Sequence, residues 1–237
     1  MIHEAIILAG GLGTRLRAAV PDLPKCMAPV AGRPFLYYLI KYFEKQGINR
    51  FIFSLGYMHE AIQAFLQNEF QDHSGARYVC EIEDEPLGTG GAVRTATYHA
   101  VDRDVLVVNG DTFFAVNVAD LFSLYKGTNA DCVLSLKPII DSERYGTVSM
   151  DQQQRITAFR EKNFNSEGLI NGGVYALNVP AFLAEALPVK FSFETEYLQA
   201  LHDKRKFYGS LQDGYFIDIG IPADFNKASI DFTNFSI

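Results

Sequence analysis

Four short apolar runs alternate with helical segments in the first half of the chain, and this rhythm constrains the fold more than any other feature. The runs span 5–9, 51–55, 78–82 and 105–109. Strands that are buried on both faces read as continuous apolar runs, and parallel strands need helical crossovers between them. At 237 residues and 48% hydrophobic content, the chain can also bury a sizeable core. The pattern therefore predicts a parallel sheet covered by helices.

Helices are predicted at 35–46, which follows Pro34 and stops before Gly47, and at 59–70. After about residue 130 the pattern changes to short strands separated by turn residues. These strands are expected at 132–136, 147–150, 156–161 and 174–177. Helices return at 180–186, 194–202 and 223–229, around a last strand at 215–219. We expect an α/β fold: one Rossmann-like three-layer sandwich with a mostly parallel sheet and a small antiparallel insertion.

A glycine-rich turn follows the first apolar run, with Gly10, Gly11 and Gly13 ahead of Arg15. Glycines let several backbone N–H groups approach an anion, and a helix starting at about Thr14 would point its positive end toward the same place. The turn matches neither a P-loop nor a dinucleotide-binding fingerprint. The alternative is a tight turn needed only for packing, so the loop alone leaves a phosphate site and a packing role equally open.

The charge balance and the cysteines exclude several classes of protein. A net charge of −7 argues against a nucleic-acid or anionic-membrane surface. Three widely spaced cysteines favour neither a disulfide framework nor a zinc site, so we expect the protein to lie in the reducing cytoplasm. The first apolar run is far shorter than the ~18 residues of a membrane span, and we expect no targeting segment.

Lys25, Asp111 and Asp218 are charged side chains set in apolar surroundings. An unpaired buried ammonium or carboxylate is costly, so each of these groups needs a partner of opposite charge or a hydrogen bond. Asp111 follows an apolar strand, at the end where open α/β sheets bind ligands. Two carboxylates that converge from distant strands suit Mg²⁺. The alternatives are a surface lysine whose stem is buried and aspartates that cap helices or turns.

The segment 83–92 combines carboxylates with glycines and would suit a nucleobase. Glu83 and Glu85 can accept from base N–H groups, while Gly88 and Thr89 would lie against the ring. Guanine, with adjacent N1–H and N2–H₂ donors, matches such an acceptor best. An acidic, solvated loop ahead of a helix is the alternative.

A second polar group surrounds Glu161 and Lys162, with Gly146 before it and Asn171 after it. A carboxylate, an amide and open glycine backbone can hydrogen-bond a polyhydroxylated sugar, and the lysine can neutralise its phosphate. Read singly, the two charged residues are an exposed ion pair.

Taken together, these ordered motifs resemble the sugar-1-phosphate nucleotidyltransferase family, from residue 6 to about residue 229. The resemblance implies the nucleotide-diphospho-sugar transferase fold, in a single domain of residues 1–237. Residues 1–130 would form mainly the nucleotide-binding half and residues 131–237 mainly the sugar-phosphate-binding half. Arg15 and Lys25 would be catalytic, Asp111 and Asp218 would hold Mg²⁺, and Gly146, Glu161, Lys162 and Asn171 would hold the sugar phosphate. The nucleotide would contact Leu8, Ala9, Gly10, Gly11, Gly13, Thr14, Arg15, Glu83, Glu85, Gly88, Thr89 and Asp111.

The resemblance implies small-molecule substrates, GTP and a heptose 1-phosphate, with Mg²⁺ as cofactor and no nucleic-acid or membrane partner. A homodimer is left open. Three alternatives remain open. The enzyme could use GTP with mannose 1-phosphate, or it could transfer a uridylyl or cytidylyl group to a hexose 1-phosphate. The third alternative is a non-catalytic nucleotide-sugar sensor. Two departures from the family pattern stand out. Cys26 replaces the proline of Lys-Pro-Met, and 17–20 lacks the usual Pro-Leu-Thr.

Overall fold

A nine-stranded mixed sheet forms the centre of the computed structural model, which describes residues 1–235 apart from 12, 14, 17–19, 71–74, 141–144 and 162–166. The strands are β1 (Glu4–Leu8), β2 (Pro29–Val30), β3 (Arg33–Pro34), β4 (Arg50–Leu55), β5 (Arg77–Ile82), β6 (Asp104–Asn109), β7 (Thr112–Phe114), β8 (Cys132–Ile139), β9 (Thr147–Met150), β10 (Ile156–Arg160), β11 (Gly168–Asn178), β12 (Phe207–Leu211) and β13 (Phe216–Asp218). The helices are α1 (Phe35–Lys45), α2 (His59–Glu69), α3 (Gly88–Thr97), α4 (Val118–Thr128), α5 (Val179–Leu183) and α6 (Pro222–Asp231), with a π-helix at Phe193–Gln199 and 3₁₀ turns at Lys25–Met27 and Phe232–Asn234.

The parallel part of the sheet has the strand order β5-β4-β1-β6, with every neighbouring pair parallel. All four strands were predicted. Ile6 and Ile7 of β1 show why these strands read as unbroken apolar runs, because the two side chains are buried in different clusters on opposite faces of the sheet.

The antiparallel part continues the same sheet. Strand β11 pairs antiparallel with β6, β8 and β9, and β9 pairs with β10. The predicted fold class is confirmed: the sheet is mixed, with helices around it. Strands β2, β3, β7 and β12 were not predicted. The first three span only two or three residues, and β12 contains Gly209 and Ser210, so these sequences carry little periodic signal.

Three predicted helices differ in detail. Pro34 is the N-cap residue of α1 rather than its first helical residue. The segment predicted as a helix at 194–202 is mainly the π-helix. Arg15 and Leu16 form a turn after the glycine loop, and the helix predicted from about Thr14 lies largely outside the described residues. Within the described ranges, every helix is too short or too polar to cross a membrane.

Candidate active site

A cavity of about 410 Å³ opens where three parallel strands end. Leu8 of β1, Ser54 of β4 and Asn109 of β6 all line it, so the cavity lies at the carboxyl edge of the sheet. Open α/β sheets bind ligands at this edge, because loops leaving adjacent strands diverge there.

Most of the residues predicted to bind the nucleotide line this cavity. They are Leu8, Ala9, Gly10, Gly11, Gly13, Arg15, Lys25, Glu83, Gly88, Thr89 and Asp111. Other lining residues were not predicted as site residues. They are Cys26, Ser54, Pro86, Ala92, Asn109, Gly110 and Gly220. Of the predicted set, Thr14 and Lys162 lie outside the described residues.

The glycine loop crosses the end of β4 with almost no space between the two backbones. A Cβ on Gly10 would lie 3.2 Å from the amide nitrogen of Gly56, and a Cβ on Gly56 would lie 2.9 Å from the carbonyl oxygen of Gly10. Among the described residues, a Cβ on Gly11 would meet nothing within 4 Å. The close crossing thus requires glycine at 56 and leaves little room for a side chain at 10, while the backbone at Gly11 is open on that side.

Lys25 joins the two aspartates that the sequence predicted as metal ligands. Its ammonium lies 2.5 Å from Oδ2 of Asp111 and 3.3 Å from Oδ1 of Asp218. The side chain of Lys25 is only 11% exposed, so these ion pairs have little competition from water. The backbone N–H of Gly220 also donates to Oδ1 of Asp218 at 2.7 Å. The short 3₁₀ turn at Lys25–Met27 sets the lysine beside both carboxylates.

Gly220 marks the point where both predicted cationic groups meet. A Cβ there would lie 2.9 Å from Oδ1 of Asp218, 3.0 Å from Nζ of Lys25 and 3.4 Å from Nη2 of Arg15. Two cations and one carboxylate thus surround a place that only glycine leaves open. The Lys25 ammonium is already paired with two carboxylates, so the exposed Arg15 guanidinium is the group on this wall that can pair with an anion such as a phosphate chain.

The two aspartates fit a divalent cation. They come from distant parts of the chain, and their oxygens converge on a single cationic group. Two carboxylates, completed by phosphate oxygens and water, suit Mg²⁺ better than an all-protein cage does. The described part of the chain contains no cluster of three or more His, Cys, Asp or Glu side chains able to hold a metal.

Glu83 joins two segments of the cavity wall, on the side where a base was predicted. Its Oε1 accepts from the hydroxyl of Ser54 at 2.9 Å, and its Oε2 accepts from the N–H of Leu87 at 3.1 Å. The carboxylate therefore braces the end of β4 against the loop before α3. Glu85, predicted with it, is exposed and lies outside the cavity lining, in the turn that precedes Pro86. The structure brings Glu83 to the cavity and leaves Glu85 in solvent.

The glycines at the start of α3 contact protein on the side where a base was expected. A Cβ on Gly88 would lie 2.5 Å from the carbonyl oxygen of Phe191, and one on Gly90 would lie 2.1 Å from the Phe191 ring. A Cβ on Gly91 would meet the carbonyl oxygen of Val189 at 2.7 Å. We call residues 187–192 the strap. These glycines leave room for the strap rather than for a base. Gly88 and Thr89 nevertheless also line the cavity.

Of the residues predicted to hold the sugar phosphate, the three that the structure describes, Gly146, Glu161 and Asn171, lie outside the cavity lining. Glu161 is exposed at the end of β10, and Gly146 packs so that a Cβ would lie 2.7 Å from the carbonyl oxygen of Arg160. Asn171 accepts from the N–H of Gly173 at 3.1 Å and donates to the hydroxyl of Tyr175 at 2.8 Å. Asn171 therefore stabilises the irregularity in the pairing of β11 with β8.

Cys26, the departure from the family pattern, is 3% exposed and lines the cavity beside Lys25. Burial, with a smaller contribution from the nearby Asp111 carboxylate, raises the pKa of its thiol to about 12. The thiol is therefore neutral at physiological pH and acts as a small apolar group.

Comparison with known proteins fits this geometry. The family model described as nucleotidyl transferase matches residues 4–234. The D-glycero-alpha-D-manno-heptose 1-phosphate guanylyltransferase of Aneurinibacillus thermoaerophilus is 47% identical over 232 residues, covering 98% of this chain and 99% of the relative. The protein of the same name from Campylobacter jejuni is 44% identical over 222 residues, covering 94% and 96%.

Among solved structures, HddC from Yersinia pseudotuberculosis superposes with a TM-score of 0.86 at 35% identity, covering 98% of this chain and all of that one. A second HddC structure, complexed with GMP-PN, gives a TM-score of 0.85. The family match spans nearly all of the chain, and the relatives match over their full length. The chain therefore belongs to the nucleotidyl transferase family.

Proposed function

We propose that the protein is a guanylyltransferase that joins GTP and D-glycero-α-D-manno-heptose 1-phosphate to give GDP-heptose and pyrophosphate. The convergence of Lys25, Arg15 and two aspartates beside Gly220, at one wall of the cavity, carries the proposal. Relatives at 47% and 44% identity bear this enzyme name, which favours these two substrates. The product would serve as a precursor of cell-surface polysaccharide, S-layer glycan or lipopolysaccharide.

In the proposed reaction, a phosphate oxygen of the sugar 1-phosphate attacks the α-phosphorus of GTP in line with the departing pyrophosphate. A new P–O bond forms as the bond to the β-phosphate oxygen breaks, and that oxygen leaves with the electron pair. No general base is needed, because a phosphate monoester with a second pKa of about 6 is already largely deprotonated. The protein must instead align two anions that repel each other and neutralise their charge.

Charge neutralisation falls to Arg15 and Lys25. The Lys25 ammonium is buried and fixed by two carboxylates, so its charge is positioned before substrate arrives. Arg15 is exposed at the mouth and would hold the end of the triphosphate that leaves. The open backbone at Gly11 would contribute N–H donors to the same chain of phosphates.

Enzymes of the nucleotidyl transferase family generally use a divalent metal. Asp111 and Asp218 would hold it here, as Mg²⁺, and it would supply positive charge to the phosphates. Lys25 would then share the two carboxylates with the ion.

The remaining predicted roles complete the proposal. The walls formed by Glu83, Gly88 and Thr89 would receive guanine. Gly146, Glu161, Lys162 and Asn171 would hold the sugar phosphate; of these, the described residues Gly146, Glu161 and Asn171 lie outside the cavity lining. Since all three cysteines are free thiols, we place the enzyme in the cytoplasm.

Mannose 1-phosphate is the second candidate sugar, because one CH(OH) unit separates it from the heptose. A hydrophobic or partly open pocket discriminates such a difference by only a few kcal/mol. The relative named mannose-1-phosphate guanylyltransferase in Mycobacterium tuberculosis is 33% identical, and this chain covers 64% of its length.

The decisive experiment is a pyrophosphate-release assay that crosses GTP, UTP, CTP and ATP with heptose, mannose, glucose and glucosamine 1-phosphates. We expect the highest kcat/KM with GTP and the heptose. Higher activity with UTP than with GTP would overturn the assigned base. Higher activity with mannose 1-phosphate would make the second candidate the correct one. Binding of nucleotide without pyrophosphate release from any pair would favour a nucleotide-sugar sensor.

A further inference from the structure

The strap ties the sugar-side half of the chain to the base side of the cavity. Its backbone exchanges hydrogen bonds with the start of α3: Phe191 N–H donates to the carbonyl of Leu87 at 3.0 Å, and Gly90 N–H donates to the carbonyl of Phe191 at 2.9 Å. The Arg94 guanidinium donates to the carbonyl of Pro188 at 2.7 Å and lies 4.7 Å from the centre of the Phe191 ring. These contacts fix the strap against one turn of α3.

Thr89 links α3 to the π-helix that follows the strap through a pair of hydrogen bonds. Its hydroxyl accepts from the N–H of Phe193 at 2.9 Å and donates to Oε2 of Glu194 at 2.6 Å. The hydroxyl of Ser192 donates to the same Glu194 oxygen at 3.0 Å. A hydrogen bond to a carboxylate is about twice as strong as one between neutral groups. Both described hydrogen bonds of the Thr89 hydroxyl are thus made to the π-helix, while the residue itself lines the cavity.

Glu194 is also close enough to Tyr175 to affect its ionisation. Tyr175 is fully buried, and its pKa is raised well above the usual value, first by burial and then by the nearby Glu194 carboxylate. The same Tyr175 hydroxyl accepts from the Asn171 side chain at 2.8 Å. Glu194 is therefore hydrogen-bonded to Thr89, on the cavity wall, and is near the buried tyrosine that accepts from Asn171.

The segment that carries Glu194 is a π-helix of seven residues, Phe193–Gln199. Such helices are rare and frequently occur at functional sites, because the wider turn displaces a side chain from its α-helical position. Here the widened turn begins at the residue whose N–H reaches Thr89. The unusual geometry and the Thr89 contact therefore coincide.

We propose that Glu194 is a positioning residue for the nucleotide: through the Thr89 hydroxyl it fixes the first turn of α3 as the base-side wall of the cavity. The assignment rests on the proposed function only in taking the cavity as the nucleotide site. Glu194 acts on how well a nucleotide is held, and it acts through Thr89 rather than by touching the phosphates.

The test uses Glu194→Gln, Glu194→Ala, Thr89→Val and Thr89→Ser in the full chain, with equilibrium binding of GTP, UTP, CTP and ATP measured by calorimetry. Glu194→Ala and Thr89→Val should weaken the nucleotide that the wild type binds best by about tenfold, since each removes a charge-assisted hydrogen bond. Thr89→Ser keeps the hydroxyl and should therefore retain most of the wild-type affinity. The variant with both Glu194→Ala and Thr89→Val should be no weaker than either single variant, because both break the same link.

Glu196→Gln is the matched control. Glu196 lies on the same π-helix and accepts from the N–H of Ser192 at 2.8 Å, but its described hydrogen bond does not involve Thr89. If Glu194 served only to stabilise the helix, Glu196→Gln would reproduce the loss of affinity at a similar change in Tm, and the inference would be wrong. It would also be wrong if Glu194→Ala changed Tm but left nucleotide affinity within twofold of the wild type.

Steady-state kinetics separate this inference from the proposed function. For an active wild type, Glu194→Ala should raise the KM for nucleotide about tenfold, with kcat and the KM for sugar 1-phosphate each within about threefold. An equal rise in both KM values contradicts a role at the base wall. A wild type that prefers another nucleotide, or releases no pyrophosphate, refutes the proposed guanylyltransferase. The affinity comparison still decides whether Glu194 positions the nucleotide.

Discussion

The side of the site proposed to hold the base and phosphates and the side proposed to hold the sugar differ in how the fold builds them. On the first side, the glycine loop, Lys25, Glu83 and Asp111 line a single cavity, and the three charged side chains are held by ion pairs or hydrogen bonds. On the second side, Glu161 is exposed, Gly146 contacts backbone, and Asn171 forms its hydrogen bonds within β11.

The difference has a physical cause. The first side forms where parallel strands of one sheet end together, so the sheet itself sets the positions of the residues. The second side is carried by the hairpin β9–β10 at one edge of the sheet and by the irregular part of β11, where the register with β8 shifts. A pre-formed nucleotide site beside a more open sugar site would let GTP be held first. Three substitutions and one chemical modification test this difference between the two sides.

The largest effect should come from Asp111→Asn. Removing this carboxylate leaves Lys25 with one anionic partner and removes a proposed Mg²⁺ ligand, so we expect kcat to fall by at least about a thousandfold. Pyrophosphate release measures it. Asp213→Asn is the control, since the Asp213 side chain is 92% exposed and pairs with Lys137 instead. Near-normal turnover by a folded Asp111→Asn protein would remove Asp111 from the site.

Alkylation of Cys26 probes how closed the nucleotide side is. Because the pKa of the thiol rises from 9.0 to about 12, its thiolate fraction at pH 8 is lower by roughly a thousandfold, and iodoacetamide should react correspondingly slowly. Between pH 7 and pH 9, raising the pH should speed the reaction about tenfold per unit, because the thiolate is the nucleophile. Mass spectrometry of native and denaturant-unfolded protein gives both rates. Equal rates at pH 8 would mean that the wall around Cys26 is open.

Gly220→Ala tests the meeting point of the cations. The new methyl group would lie about 3 Å from Lys25 Nζ and Asp218 Oδ1, so both must move. Displacement of a charged group by about 1 Å can cost on the order of a hundredfold, and we expect kcat/KM to fall between tenfold and a hundredfold. Gly75→Ala, where a Cβ meets nothing within 4 Å, should leave kinetics unchanged. If both variants behave alike, the space at Gly220 is not needed for the reaction.

The smallest effect is expected on the sugar side. Glu161→Gln should raise the KM for sugar 1-phosphate about tenfold and leave the KM for GTP within twofold, because an amide accepts hydrogen bonds less strongly than a carboxylate. Glu167→Gln, another exposed carboxylate nearby in sequence, is the control. An increase of similar size in both KM values for Glu161→Gln would mean that the two sides are not separate.

Local signals in the sequence predicted much of the fold and part of the site. The strands β1, β4, β5 and β6 were predicted because each is an apolar run between turn residues. The apolar run of β1 also showed that the glycine loop follows the end of a strand. Lys25, Asp111 and Asp218 could be singled out because an isolated charge in an apolar segment needs a partner.

The links between distant segments could not be predicted. Ser54 meets Glu83, and Thr89 meets Phe193 and Glu194, across separations of 29, 104 and 105 residues. Their sequences look like an ordinary strand end and an ordinary helix start. The glycines at the start of α3 gave a signal, but the sequence could not say that Phe191 would fill the space beside them.

The sequence by itself determined which charges must be paired and where the backbone must stay open. It also indicated that these charges and open backbone positions follow parallel strands. Burial cost and glycine geometry act residue by residue, so one chain suffices to read them. Only the tertiary structure decided which partners those groups take. It set the Lys25 ammonium between two aspartates, closed the strap over α3 and left Glu161 in solvent, because the order of strands in the sheet, rather than any local pattern, fixes which segments meet.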